Sequence, residues 1–128
     1  MKIKKCFAVN SYYEFELFIE KKKLKDEIIV VYIKYYLIKG LGINWLNDLI
    51  TQIKKNYKKL SIKFFIDSGN DYGLSIQIIR ENVDYLKLSS NESILSKISQ
   101  IAKKNKVLLN PNFHVVDISR SLRKNYEN

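Results

Sequence analysis

A short apolar run that ends in small polar residues constrains this chain more than any other feature. Residues 62–66 predict a buried strand, and the sequence Asp-Ser-Gly-Asn follows directly at 67–70. Three successive apolar residues at 64–66 are typical of a central parallel strand, which is buried on both faces. Open α/β sheets bind ligands at the carboxyl ends of such strands. The feature therefore predicts a fold class and a candidate edge for a site, but no particular function.

The 128 residues predict one domain with a single hydrophobic core. We assign residues 1–118 to an α/β domain and the polar residues 119–128 to a C-terminal tail. The longest apolar stretch, 28–38, contains a lysine and is too short to span a bilayer. No signal peptide is evident. Cys6 is the single cysteine, so no intrachain disulfide forms, and we expect a cytoplasmic protein without membrane attachment.

Apolar runs alternate with helical patterns along the chain, as they do in parallel α/β proteins. We expect five strands, with 113–118 as a candidate sixth, at 3–9, 27–36, 62–66, 83–88 and 107–109. Single helices between strands imply right-handed crossovers. The prediction is a flavodoxin-like three-layer α/β sandwich with a mainly parallel five-stranded sheet. A half-barrel is an alternative, whereas a closed eight-unit barrel needs about 250 residues.

Helix starts and helix faces can also be predicted. Ser11 with Glu14, and Ser89 with Glu92, have the spacing of a capping box. Asn44 is a candidate cap for the helix that precedes the third strand. Apolar residues at helical spacing and in the third strand predict a core that includes Leu49, Ile53, Phe65, Ile66, Ile98 and Ile101.

Small polar residues follow several of the predicted strands. Because parallel strands end at one edge of a sheet, these residues should meet there, beside helix N-termini whose free N–H groups suit an anion. The same residue types also cap helices in any α/β protein. Asp67 is the candidate catalytic or ligand-binding acid. The predicted site comprises Gly40, Gly42, Asn44, Asp67, Ser68, Gly69, Asn70 and Ser89.

The segment 65–69 resembles the phosphorylated segment of anti-sigma-factor antagonists, which have the STAS fold. In those proteins a serine directly after the aspartate is phosphorylated, so the resemblance implies phosphorylation of Ser68 and a STAS-like fold as a further alternative. Asn70 and Asp71 depart from that family's pattern. Asp67 also ends the predicted third strand, as in receiver domains of response regulators. The acidic pair and the lysine of those domains are absent after the first and fifth strands, so a functional receiver is not expected.

Several classes of chemistry lack their sequence signatures. The chain has no P-loop sequence, and the Gly-Leu-Gly at 40–42 lacks the third glycine of a dinucleotide fingerprint. His114 is the only histidine and has no ligand or triad partners at suitable spacing. We therefore expect no metal and no cofactor. No convergent set of acid, base and nucleophile is present, which favours a protein that is not an enzyme.

The formal net charge of +10 suggests a polyanionic partner. However, the chain has 20 Lys against 3 Arg, and it is poor in Ala, Gly and Pro. Codon usage in an AT-rich genome accounts for such a composition without nucleic-acid binding, and Arg is the side chain preferred for phosphate and base contacts. Nucleic acid is therefore not the expected partner. Lysines concentrated on one face would reverse this expectation.

These observations predict a small non-catalytic α/β module that works through protein contacts or through a small anionic ligand at the carboxyl edge of the sheet. Two alternatives stay open. One is an enzyme or phosphate-ligand binder that uses Asp67 at that edge. The other is a weak nucleic-acid binder that uses surface lysines.

Overall fold

A computed structural model describes residues 5–22 and 28–120. The strands are β1 Lys5–Ala8, β2 Ile28–Ile33, β3 Ser61–Asp67, β4 Tyr85–Lys87, β5 Leu108–Leu109 and β6 His114–Asp117. The helices are α1 Tyr12–Lys21, α2 Tyr35–Leu41, α3 Ile43–Asn56, α4 Tyr72–Ile79 and α5 Glu92–Lys104. Within these ranges no helix is both long and apolar enough to cross a membrane.

One parallel sheet contains all six strands, in the order β5-β4-β3-β2-β1-β6. The predicted α/β class and the mainly parallel sheet flanked by helices are confirmed, with six strands instead of five. In the centre of the sheet, Phe64 of β3 pairs with Val31 of β2, and Phe65 pairs with Tyr85 of β4. Residues 64–66 are all buried, as a central parallel strand requires.

Alternate strand residues fill two hydrophobic clusters on opposite faces of the sheet. The larger cluster joins one face, including Val31 and Phe64, to the buried side chains of all five helices. The smaller cluster defines what we call the second face, and consists of Cys6, Ala8, Val30, Tyr32 and Phe65 with the partly buried Tyr85 and Phe113. Of the residues in this cluster, only Phe113 lies outside a strand, in the 110–113 connection.

The strand order also shows that the sheet is curled. β5 and β6 lie at opposite edges, yet only residues 110–113 connect them. Five inter-strand spacings of a flat sheet measure about 24 Å. A chain of this length reaches at most about 18 Å. The edges must therefore approach each other, a feature that the fold shares with the half-barrel alternative.

Several local predictions need correction. The second strand ends at Ile33, because Tyr35–Leu41 form the unpredicted helix α2. Asn91 caps α5 through a bond from the Ile94 N–H, so Ser89 is not its cap. Asn44 lies inside α3, whose N-cap residue is Gly42 at φ +95°. The predicted cap Ser11 is confirmed, since its hydroxyl accepts the Glu14 N–H.

The end of the described chain packs against α1. Ser119 is buried, and its hydroxyl donates to the Glu14 carboxylate at 2.9 Å and accepts from Asn10 Nδ2 at 2.7 Å. The first part of the predicted tail therefore contacts the domain. Residues 1–4, 23–27 and 121–128, which include the start of the predicted first strand and most of the predicted tail, lie outside the described residues.

Ile98 and Ile101 of α5 differ in burial, which allows a test of the helix face. Ile98 is fully buried, whereas the structure leaves Ile101, predicted as core, only half-buried. We predict that Ile98→Ala lowers the free energy of unfolding by about 2–5 kcal/mol, because transfer free energy is lost and a cavity remains. Ile101→Ala should cost clearly less. Urea denaturation followed by circular dichroism measures both values, and equal losses would contradict this packing.

Candidate functional site

The curled sheet and the 110–113 connection enclose a pocket on the second face. Its volume is about 270 Å³. Residues at the ends of β4 and β5 contribute to it, so it lies at the carboxyl edge of the sheet, where the sequence predicted a site. The described residues that line it are Tyr32, Phe65, Lys87, Leu88, Ser89, Asn110, Pro111, Phe113 and Val115.

Aromatic rings form one wall of the pocket. Phe65 packs edge-to-face against Tyr32, with ring centroids 5.0 Å apart, and against Phe113 at 5.6 Å. Tyr85 and Phe113 pack in the same way at 5.0 Å. Such geometry is favourable for aromatic pairs beyond the burial of their area. The wall is therefore a rigid apolar surface held by β2, β3, β4 and the 110–113 connection.

A hydrogen bond between Tyr32 and Asp67 connects this wall to the predicted acid. The Tyr32 hydroxyl donates to Asp67 Oδ2 at 2.6 Å, and Asp67 Oδ1 accepts the Gly69 N–H at 2.8 Å. Burial raises the pKa of Tyr32, and the hydrogen bond and negative charge of Asp67 raise it further. Tyr32 is therefore a protonated donor to Asp67, and both carboxylate oxygens already have a partner.

Charged side chains of both signs lie at the carboxyl edge of the second face. Lys87 pairs in register with Asp67. Lys34 forms an ion pair with Asp117 at 2.8 Å. Burial opposes ionisation of that pair, but the hydrogen bond and opposite charge outweigh it, so the pKa of Lys34 is raised and that of Asp117 is lowered. Lys87 forms no ion pair within the described part of the chain, which leaves its ammonium available to an anion.

Cys6 lies on the same face but is not an activated thiol. Its side chain is fully buried. Burial raises its pKa to about 11, and the positive charge of Lys87 offsets only part of this effect. At neutral pH Cys6 is therefore a thiol, and the thiolate that nucleophilic attack requires is scarce. It serves as a small apolar side chain in the second face.

The turn after β3 is fixed by hydrogen bonds that use its polar residues. The hydroxyl of Ser68 is buried, donates to the Lys87 carbonyl at 2.8 Å and lies 2.8 Å from the Ser75 hydroxyl. Gly69 has φ +63°, and a Cβ there would come within 2.9 Å of the Tyr35 ring. Only glycine fits this position. These residues hold the loop in place, and Ser68 is not accessible to a kinase in this conformation.

The structure brings only part of the predicted site together. Ser89 lines the pocket, Asp67 contacts it through Tyr32, and the Ser89 N–H donates to the Gly69 carbonyl at 2.8 Å. The lining described above does not include the other predicted residues. Gly40 lies within α2, Gly42 between α2 and α3, Asn44 within α3, and Asn70 is exposed after β3.

Tyr32, Lys87 and Phe113 line the pocket but are absent from the predicted site, whereas Asn110 was expected at this edge of the sheet as a strand-end residue. The Asn110 amide accepts the Leu88 N–H at 2.8 Å and donates to the Leu88 carbonyl at 3.0 Å. Its φ of +51° is one that Asn adopts more readily than most residues. The dipeptide Asn-Pro at 110–111 was a local signal for this turn. No local signal places Phe113 over the second face, because that depends on the curl of the sheet.

A second surface is defined by cations at the opposite edge of the sheet, where the strands begin. Crossover helices run antiparallel to parallel strands, so their C-termini reach this edge. Exposed cations concentrate here, on Lys5, Lys21, Lys54, Lys55, Lys58, Lys59, Arg80, Lys103, Lys104 and Lys106. We call this set the basic edge. At the carboxyl edge the acidic side chains of Glu14, Asp67, Asp71, Glu92 and Asp117 lie together with Lys34 and Lys87. Glu20, Glu81 and Asp84 lie at the basic edge, where the cations outnumber them.

Metal ligands do not cluster in the described ranges, where no group of three or more His, Cys, Asp or Glu side chains could hold an ion. His114 is exposed on β6.

No protein-family model matches this sequence, and a search of curated proteins finds no match. Any functional conclusion therefore depends on the pocket and the basic edge.

The Tyr32–Asp67 bond predicts a loss of stability at high pH. Because folding raises the pKa of Tyr32, the folded state holds the phenolic proton more tightly than the unfolded state. That contribution is complete below the unfolded pKa of about 10 and is lost as the pH rises above it. We expect the free energy of unfolding to fall above pH 10, and to fall less steeply in Tyr32→Phe.

Asp67→Asn should also flatten this decline, because it removes the carboxylate that raises the Tyr32 pKa. At neutral pH it should cost less than about 2 kcal/mol, since an amide oxygen can still accept the Gly69 N–H. Denaturant unfolding between pH 7 and 11 measures the free energy of unfolding of the wild type, Tyr32→Phe and Asp67→Asn. If the free energy of unfolding fell equally with pH in the wild type and in Tyr32→Phe, the loss of stability could not be attributed to the Tyr32–Asp67 hydrogen bond.

Proposed function

We propose that this protein is a non-catalytic α/β module that binds nucleic acid through the basic edge. The observation that carries the proposal is the concentration of exposed lysines where the strands begin. A sequence composition that merely favours lysine distributes it over the whole surface. Here the cations are clustered, which is the electrostatic footprint of a protein that binds a phosphate backbone.

The order of the lysines along the edge supports a continuous contact. α1 ends beside β1, α3 leads into β3, and α5 leads into β5, so their final turns follow one another across the sheet. Lys54 Nζ donates to the Asn82 carbonyl at 2.9 Å and thereby connects α3 with the loop after α4. A backbone with regularly spaced phosphates fits such a row better than a compact anion does.

Stabilisation of helix C-termini does not account for the whole set. Cations in the last turn interact favourably with the helix dipole, which explains Lys54, Lys55, Lys103 and Lys104. Lys58 and Lys59 lie beyond the end of α3, in the loop before β3. Lysine is not required for the structure of that loop, so these two side chains test binding with the least disturbance of the fold.

The second face supports the non-catalytic part of the proposal. Asp67 is bonded to Tyr32, Lys34 is paired with Asp117, and Cys6 is protonated. General acid–base and nucleophilic catalysis need a poised group within reach of a substrate. Asp67 and Lys34 are each bonded to a partner and Cys6 is a buried thiol, so none of these three is poised in this way.

The double variant Lys58→Gln with Lys59→Gln tests the basic edge. Its matched control is Lys39→Gln with Lys97→Gln, which removes the same charge from exposed sites within α2 and α5. Fluorescence anisotropy with a labelled single-stranded RNA oligonucleotide, titrated at several salt concentrations, gives the dependence of affinity on salt. Each phosphate contact contributes roughly 0.7 to the slope for single strands.

We expect the edge variant to bind more weakly and to lose up to about 1.4 from the magnitude of that slope. The slope of the control variant should differ from the wild-type slope by less than half of that loss. Equal losses in the two variants would show that only the net charge matters, and would reject the basic edge as a defined site. Duplex RNA in a parallel titration establishes which form is preferred.

The pocket favours a second candidate function, the binding of a small anionic ligand at the carboxyl edge. Lys87 is exposed, lines the pocket and has no ion-pair partner among the described residues, and Ser89 adds a hydroxyl beside it. Asp67 lies next to Lys87 in register and bounds the site on the β3 side.

Lys87→Gln should therefore weaken the binding of inorganic phosphate at least fivefold, because it removes the cation of the pocket. Lys97→Gln, on the exposed surface of α5, is the control and should leave the affinity unchanged. Chemical-shift titration in solution measures both and also maps the site. Equal affinities of the two variants, or shifts confined to the basic edge, would reject this second candidate.

A further inference from the structure

We infer that the pocket of the second face is a site for a planar aromatic anion, of the class of aryl phosphates and aryl carboxylates. The inference rests on the second candidate function and adds the chemical class of the ligand. Two neighbouring features carry it. One is the aromatic wall, and the other is Lys87, which lines the pocket and forms no ion pair with another described residue.

The wall suits a flat ring. Phe65 is held by Tyr32 and Phe113 in edge-to-face contacts at 5.0 and 5.6 Å, and Tyr85 contacts Phe113 at 5.0 Å. An aromatic ligand can extend this pattern, because ring edges are positive and ring faces are negative. A saturated ring of similar size gains only the burial of its area.

The size of the pocket limits the ligand to a small molecule. A volume of about 270 Å³ lies just below the usual range for ligand pockets and accommodates one ring and one acidic group. Val115 of β6 lines the pocket and remains 38% exposed. An apolar side chain left open inside a concave site is one that a ligand ring would cover.

The charges around the pocket define where the acidic group binds. Lys87 ends β4, Ser89 lies two positions further along the chain, and both line the pocket. Asp67 lies beside Lys87 in register, and its negative charge keeps an anion away from the β3 side. Tyr32 directs its hydroxyl to Asp67 and is therefore not a donor to the ligand. The anion is thus confined to Lys87 and Ser89.

Phe113 is the ring that a variant can remove with the least change to the sheet. It belongs to the 110–113 connection and is only partly buried, whereas Phe65 is in the centre of β3. The side chain of Asn110 fixes the start of this connection to Leu88 by two hydrogen bonds. Asn110 therefore anchors the segment that precedes Phe113, and this holds the Phe113 ring over the pocket.

The test compares methyl phosphate, cyclohexyl phosphate and phenyl phosphate by calorimetric or chemical-shift titration. For the wild type we expect phenyl phosphate to bind about three- to tenfold more tightly than cyclohexyl phosphate, the range given by one aromatic contact. Phe113→Leu should abolish this preference and leave the affinity for methyl phosphate unchanged. Phe113→Tyr, which retains the ring, should restore the preference.

Phe18→Leu is the matched control, because it makes the same change on α1, in the cluster of the opposite face. Thermal unfolding establishes that each variant is folded at the titration temperature. Equal binding of phenyl and cyclohexyl phosphate to the wild type, with methyl phosphate still dependent on Lys87, would overturn this inference alone. Failure of all three phosphates to bind in a Lys87-dependent way would instead overturn the second candidate function.

Discussion

The burial of β3 on both faces is the constraint on which the rest of the structure depends. Phe64 and Ile66 belong to the cluster shared with the helices, and Phe65 belongs to the cluster of the second face. A parallel strand with apolar side chains on both sides is stable only when both faces are covered. The helices cover one face, and the curl of the sheet together with the 110–113 connection covers the other.

The same alternation separates the two candidate surfaces. Within one strand, successive side chains point to opposite faces, so Phe65 and Asp67 share the second face while Ile66 faces the helices. Along the strand axis, the parallel arrangement sends helix N-termini with acidic residues to one edge and helix C-termini with lysines to the other. The topology therefore places the pocket and the basic edge at opposite ends of one sheet. Residues of the pocket can be substituted without altering the basic edge, and the reverse also holds.

Local sequence patterns predicted the strand β3, the position of Asp67 at its end and most of the core residues. Each of these depends on residues that are close together in the sequence. They failed at Tyr35 and Tyr36, whose preference for strands is outweighed by the packing of α2 against α3. The Tyr32–Asp67 bond and the place of Phe113 depend on pairing register and sheet curvature, which join residues distant in sequence. The charge separation is hidden in the sequence for the same reason, since only the direction of each helix assigns its lysines to an edge.

The pairing of β6 with β1 has a consequence for the order of folding. Asn10 and Ser119, which bond at the end of these strands, are 109 positions apart. During synthesis β1 must therefore present an unpaired edge until almost all of the other strands have left the ribosome. Contacts of such separation form late and slowly, and open strand edges are where chains exchange segments with one another. Pairing of β6 with β1 therefore closes a strand edge that would otherwise be open to such exchange.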